Sequence, residues 1–197
     1  MIKTQPFRSI APPLHIYQVP YSEYPNAREL GRKWEELTST FKHQNKTIQQ
    51  RMEDAGVIAG SIEYFIAMQK TEDPRYQLFI CEDARKIPQA MMLTKETNSE
   101  ISVEYLVSCP WNIHPIGGIP NYPVKGAGTS LMMHVFQMAM EKGTSVELES
   151  YLSAQSFYEQ LGFTHDNKKS RGETSHMYVL AERIAQIYPQ YFPPQAC

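Results

Sequence analysis

Apolar and polar residues along the chain change period several times, and each change marks an element. After a Pro-Pro pair, residues 14–19 alternate Leu, Ile and Val with His, Tyr and Gln, which predicts a short first strand. Ala27, Leu30, Trp34, Leu37 and Phe41 then recur at steps of three and four, the pattern of one buried helix face, with Asn26 as its N-cap. Residues 47–68 predict further helix: Ile48, Met52 and Ala55 form a face, Gly56 and Gly60 interrupt it, and Ile62, Phe65 and Ile66 begin a third, short helix. Beyond Asp73-Pro74 the texture turns strand-like over residues 76–81, 89–94 and 101–107, an antiparallel meander joined by short turns.

The second half has its own punctuation. Residues 110–123 hold four prolines, Trp111 and His114 without periodicity, a loop of a length that compact domains seldom carry without a function. Leu131, Met132, Val135, Phe136, Met138 and Ala139 cover most of a helix circumference, so the helix over 129–142 is largely buried, and Gly143 ends it. Val146 and Leu148 alternate with Glu147 and Glu149 in a strand, residues 154–161 form a short helix ended by Gly162, and Phe163 opens another strand. Met177, Val179 and Ala181 alternate with His176, Tyr178 and Leu180 in a final strand; from Tyr188 onward, Pro189, Pro193 and Pro194 predict an extended or disordered tail. No repeat of 20 to 50 residues is present. The alternation predicts an α/β fold, a mixed sheet covered by helices.

Composition narrows the class. A chain of 197 residues, 42% hydrophobic and 20% charged, is one domain with a full core available, which excludes global disorder. Its 19 Lys and Arg against 21 Asp and Glu leave no basic excess for phosphates, so nucleic acid is not an expected partner. Cys81, Cys109 and Cys197 are too far apart for a zinc site or disulfide framework, which fits a reducing cytoplasm. The longest apolar stretch, residues 57–68, contains Glu63 and falls short of the about 18 residues a membrane span needs, and no signal-peptide pattern opens the chain. No membrane partner is expected. The ten methionines read as core filler.

Residues 124–130, Val-Lys-Gly-Ala-Gly-Thr-Ser, follow a strand and loop and open the buried helix. Glycines there let the backbone approach a ligand, and N–H groups at a helix start, aligned with its dipole, bind phosphate oxygens. Alone, a Gly-x-Gly is equally an ordinary tight turn into a helix. It is neither Walker A nor the Gly-x-Gly-x-x-Gly of a dinucleotide fold. About 25 residues on stands Ala154-Gln155-Ser156-Phe157-Tyr158-Glu159-Gln160-Leu161-Gly162-Phe163.

Together the two segments resemble the Gcn5-related N-acetyltransferase superfamily, whose pattern is Gln/Arg-x-x-Gly-x-Gly/Ala before a helix and later Phe-Tyr-Glu-x-Leu-Gly-Phe. The likeness covers residues 99–163 closely and extends by element order to Glu182; residues 1–75 agree only in the succession of elements. It implies a single domain, 1–197, around a mixed, mostly antiparallel central sheet splayed at the cofactor site. Residues 1–75 would form the acceptor side, 76–163 the acetyl-CoA core, 163–182 the closing strands and 183–197 a tail. The resemblance further implies that acetyl-CoA lays its diphosphate on the N–H groups of Val124, Lys125, Gly126, Ala127, Gly128 and Thr129. Its pantetheine arm would run between residues 101–108 and 145–149, bonding the main chain near Leu106 and Val107. Two positions depart from the pattern: Pro123 stands for the Gln/Arg, and Tyr151 for an Asn that many members carry after the fifth strand. Residues 111–122 exceed the usual connection and are expected to cover the acceptor site.

Acetyl transfer to an amine needs a free lone pair, and an amine of pKa about 10.4 is only about 0.04% neutral at pH 7, so a base is useful. Glu104 matches a position where some members place a catalytic glutamate. Strand alternation puts it with Ser102 and Leu106, opposite Val103, Tyr105 and Val107, a partly apolar setting that favours a base. Glu147 and Glu149, more simply a solvated face, and His114, a loop histidine, are alternative bases. Tyr158 matches the superfamily's general acid, with a packing tyrosine as the plainer reading, and an N–H near Leu106 would hold the oxyanion. Cys109, without a histidine partner, reads as a bystander. Residues 168–171, Lys-Lys-Ser-Arg, read as a solvated hairpin, or as a contact to the adenosine 3′-phosphate. The expected activity is acetyl transfer to a primary amine of a small molecule, with a protein amine and a non-catalytic CoA-binding module as alternatives, in a monomer or homodimer.

Overall fold

The computed structural model describes residues 14–69, 72–116, 124–167, 169 and 174–191. Its strands are β1 (His15–Gln18), β2 (Tyr76–Glu82), β3 (Pro88–Glu96), β4 (Glu100–Ser108), β5 (Ser145–Tyr151), β6 (Thr164–His165) and β7 (Thr174–Val179), in one sheet of order β1-β2-β3-β4-β5-β7-β6. Every neighbouring pair is antiparallel except β4 and β5, which are parallel because α4 (Ala127–Lys142) crosses between them. The sheet is mixed, as the residue pattern predicts, and mostly antiparallel, as the family resemblance implies.

Helices α1 (Tyr24–Ser39) and α2 (Lys46–Met68) cover one face; α4 and α6 (Ala181–Tyr191) cover the other. The one-turn α3 (Pro110–Ile113) follows β4, and α5 (Gln155–Gln160) follows a 3-10 turn, Leu152–Ala154. The two faces account for the unbroken apolar runs of the central strands. Leu78, Ile80, Met91 and Leu93 pack toward α1 and α2, while Phe79, Cys81, Ala90 and Met92 pack toward α4. Met91, Met92, Met132 and Met133 are core, as their type suggests.

Four expectations change. Helix α1 begins at Tyr24 with Pro25 in its first turn, so Asn26 lies inside the helix and not at its cap. Helix α2 is one unbroken helix capped by Asn45, whose side chain accepts from the N–H groups of Thr47 at 2.9 Å and Ile48 at 3.2 Å. The glycines that seemed to interrupt it are where α1 comes close. A Cβ at Gly60 would lie 2.9 Å from the Glu35 carboxylate, one at Gly56 would strike Thr38 Oγ1, and one at Gly31 would lie 3.1 Å from the Ala59 carbonyl. Within residues 110–123, Pro110–Ile113 is helical, and residues 117–123 lie outside the described residues. The last strand stops at Val179, and the supposed tail is α6 through Tyr191: Ile184 and Ile187 are buried, Tyr188 packs beside them, and Pro189 falls in the last turn, so that little helix follows it.

Candidate active site

The glycine turn is built by the backbone conformation it needs. Gly126 caps α4 with φ +93°, and a Cβ there would meet nothing within 4 Å, so glycine is required for its dihedral and not for space. The Gly126 carbonyl accepts from Ser130 N–H at 2.8 Å, and the N–H groups ahead of Ser130 face out of the helix start. Val124 differs: its N–H donates to Asn112 Oδ1 at 2.8 Å, so of the six amides expected to meet a diphosphate it is already engaged.

Strand β4 changes face partway along. Val103 pairs with Thr94 and Tyr105 with Leu93, so Glu104 is an extra residue, a β-bulge. The bulge resets the alternation. Ile101 and Val103 face the α4 core, whereas Tyr105 and Val107 face α1 and α2, and Leu106 returns to the α4 side. The simple alternation that put Val103, Tyr105 and Val107 on one face is therefore wrong, and Glu104 is exposed rather than set in apolar surroundings. At the same point the sheet opens. Pairing between β4 and β5 runs from Glu100↔Ser145 to Val103↔Leu148 and stops, although β4 stays with β3 to Ser108 and β5 with β7 to Tyr151.

Two cavities use this opening. A cleft of about 440 Å³ is bordered by Leu106, Val107 and residues 124–129 on one side and by Arg51, Asp54 and Phe157 on the other. A smaller pocket of about 150 Å³ is bordered by Glu104, Glu149, Tyr151 and Ser61. Ile58, Leu106, Ala154 and Tyr158 border both. Helix α2 bridges the opening, since Ser153 Oγ donates to the Asp54 carboxylate.

Tyr158 is 7% exposed, held edge-on between Phe157 at 5.0 Å and Phe163 at 5.7 Å. Burial pushes its pKa well above the ordinary tyrosine value, so the phenol keeps its proton at neutral pH. Cys109 Sγ donates to Gln89 Oε1 at 3.6 Å, and burial pushes its thiol up, which leaves no nucleophile there. Among the alternative bases, Glu147 meets His176 at 3.1 Å and Lys169 at 3.4 Å, away from both cavities. Lys169 therefore faces Glu147 and not the cleft, and its neighbours Lys168, Ser170 and Arg171 lie outside the described residues. His114 packs on His43 at 4.6 Å and Phe41 at 5.6 Å, again outside both cavities. The described part of the 111–122 insertion reaches the large cleft through Asn112 and Ile113, and does not border the small pocket.

Arg51, Asp54, Asn112 and Ser153 escape the sequence reading. Arg51, Asp54, Ala55 and Ile58 do follow helical steps of three and four, a stripe whose half-polar character marks a face turned to a cavity. Asn112, a lone amide in an aperiodic loop, carries no such signal.

The family model described as "Acetyltransferase (GNAT) family" matches residues 14–163. The chain belongs to this acetyltransferase family. Membership makes the GNAT chain an acyltransferase of the N-acetyltransferase type. Solved structures share the fold at low identity. The ribosomal-protein-S18-alanine N-acetyltransferase of Escherichia coli is 16% identical, with 86% of this chain and 94% of that one covered and a TM-score of 0.53. PaiA N-acetyltransferase of Thermoplasma acidophilum, in complex with coenzyme A, is 14% identical over 85% and 99% of the chains, with a TM-score of 0.53. Spermidine N-acetyltransferase of Vibrio cholerae, in complex with CoA and spermine, is 15% identical over 87% and 98%, with a TM-score of 0.52. No curated protein matches the GNAT chain by sequence. Among the described residues no helix is long and apolar enough to cross a membrane, and no group of three or more His, Cys, Asp or Glu could hold a metal ion.

Proposed function

We propose that the protein moves the acetyl group of acetyl-CoA to the primary amine of a small molecule, by direct attack of the amine on the thioester. The meeting of the two cavities carries this reading: Leu106 and Tyr158 border both, and Glu104 borders the smaller one. An acyl donor lying in the cleft and an amine entering from the pocket come together beside these residues. The cleft suits acetyl-CoA in kind. Outward amides at the start of α4 and the side chains of Arg51 and Lys125 offer donors to phosphate oxygens, and the missing Cβ at Gly126 leaves the backbone open to them.

Acetyl-CoA, when bound, supplies an acetyl group already activated as a thioester. Glu104 and Glu149 draw an ammonium into the pocket, and Glu104 takes one of its protons, which frees the lone pair. A main-chain N–H near Leu106 stabilises the oxygen as charge gathers on it while the N–C bond forms. Tyr158 donates to the sulfur as the C–S bond breaks. An ordinary thiol has a pKa of about 8.5 and a tyrosine about 10, so a tyrosine raised further by burial is the weaker acid of the two. Its hydroxyl therefore works as a hydrogen-bond donor that stabilises the departing thiolate and keeps its own proton. Of the two protons the nitrogen sheds, one leaves through Glu104 and the other balances the proton that the sulfur gains.

The size of the pocket supports this acceptor class. At about 150 Å³, with Ile58 and Ser61 of α2 on its wall, it admits a slim amine-bearing arm in preference to a folded segment. Among the similar structures are enzymes for spermidine and for a ribosomal-protein alanine, so the fold serves both kinds of acceptor. The test is CoA thiol release with acetyl-CoA against polyamines, amino sugars, free amino acids and a lysine peptide. Turnover confined to small amines is expected. Turnover on the peptide alone would overturn the acceptor class, and acetyl-CoA binding without turnover on any amine would leave a cofactor-binding module.

A further inference from the structure

A string of buried and half-buried polar groups runs from the β2–β3 turn to the glycine turn, between elements that the sequence holds far apart. At one end Asp83, 2% exposed, accepts from the N–H groups of Arg85 at 2.9 Å and Ile87 at 3.1 Å, and from Gln89 Nε2 at 3.3 Å. Gln89 is fully buried, and its Oε1 accepts from Asn112 Nδ2 at 3.2 Å and from Cys109 Sγ at 3.6 Å. Asn112 Nδ2 also reaches the Gln89 carbonyl at 3.3 Å, and its Oδ1 accepts from Val124 N–H at 2.8 Å.

The chemistry of the two ends fixes the sense of every link. A carboxylate only accepts, so Gln89 must turn its amino group to Asp83 and its oxygen to Asn112. A backbone N–H only donates, so Asn112 must turn its oxygen to Val124 and its amino group to Gln89. Both requirements agree, and no link can invert without leaving a buried group unpaired. The string ends two residues before Gly126, on the first described residue after residues 117–123. Asn112 thus joins the two ends of the insertion at its base, and the glycine turn starts from a fixed point.

We infer that Asn112 is the positioning residue of the cofactor cradle: it registers Val124, and so the amides of the glycine turn, against β3. This rests on the reading of the cleft as the acetyl-CoA site. Its test compares wild type with Asn112→Ala by titration calorimetry with acetyl-CoA, by unfolding without ligand, and by amide hydrogen exchange at Val124. The expected result is a dissociation constant weakened about tenfold, in proportion to one lost buried hydrogen-bond pair, with a still cooperative unfolding transition and faster exchange at Val124 than at the β3 amides. A general loss of packing would speed exchange across β3 as well, so uniform acceleration overturns the assignment, as does unchanged affinity with unchanged Val124 exchange. If wild type itself binds no acetyl-CoA, the cofactor reading fails, while the exchange at Val124 still decides the clamp.

Discussion

Helix α4 offers a matched pair of perturbations. Gly126 at its start and Gly143 at its end both have left-handed φ, +93° and +67°, and a Cβ at either would meet nothing within 4 Å. An alanine at either site incurs the left-handed strain of about 1–2 kcal/mol and recovers up to about 1 kcal/mol from a less flexible unfolded chain. Each variant should therefore lose about 1 kcal/mol, a fall of roughly 2–4 °C in unfolding midpoint for a domain of this size. Their effects on binding should diverge, because Gly126 borders the cleft and Gly143 stands at the far end of a 16-residue helix, about 24 Å away. In thermal-shift titrations acetyl-CoA at about 100 times its dissociation constant should add about 2.7 kcal/mol to wild type, roughly 5–11 °C. Gly143→Ala should keep that increment and Gly126→Ala should lose most of it. Equal increments in the two variants would refute the assignment of the glycine turn to the cofactor, and an unshifted ligand-free midpoint in both would refute the strain argument.

Other perturbations test separate links. Glu104→Gln should lower turnover about a hundredfold at pH 7 and give a rate that climbs tenfold per pH unit toward the amine's pKa, since only the neutral amine then reacts; a pH profile like wild type's would remove Glu104 as base. Gly56→Ala drives a methyl into Thr38, an overpacking cost of about 1–3 kcal/mol against a helix gain of about 1 kcal/mol; urea melts should show net destabilisation that Thr38→Ala relieves, and additivity in that double-mutant cycle would mean that α1 and α2 do not touch there. Burial pushes the Asp83 carboxyl up, but hydrogen bonds from Arg85 and Ile87 outweigh it and hold the group below the ordinary carboxylate range. Its stabilising contribution is therefore complete above the unfolded value of about 3.9 and is lost as pH falls through the lower folded value. The gap in midpoint between wild type and Asp83→Asn should be constant from pH 7 to about 5 and shrink below about pH 4; a gap independent of pH would contradict the shift.

What the sequence disclosed and what it hid divide along physical lines. Period signals in α1, α4, β5 and the meander survive because each of those elements buries a continuous face against a neighbouring layer, and the meander strands bury both faces against two layers. The glycine turn and Tyr158 were legible because local backbone need and a short motif stand next to each other in the chain. The unbroken course of α2 was hidden because Gly56 and Gly60 look the same whether they end a helix or admit a neighbour, and only α1 decides which. Helix α6 was hidden because Pro189, with Pro193 and Pro194 beyond the helix, masks the apolar face of Ile184, Ile187 and Tyr188. The bulge at Glu104 was invisible for a different reason: it is a property of the pairing between β3 and β4, and Thr94 lies in another strand. Asn112 shares that difficulty, since its partners Gln89 and Val124 are 23 and 12 residues away.

The parting of β4 from β5 gives the sheet an edge in its interior. Outer edges of sheets recruit strands, and most proteins shield them; here two facing rims lie in the middle of the molecule, each firmly paired on its other side. A ligand with amide groups along a slender chain can complete the ladder across such a seam as an added strand would. Beyond Val103↔Leu148 the rims of β4 and β5 face each other as two template edges, each held in shape by the strand on its far side, in place of one closed ladder.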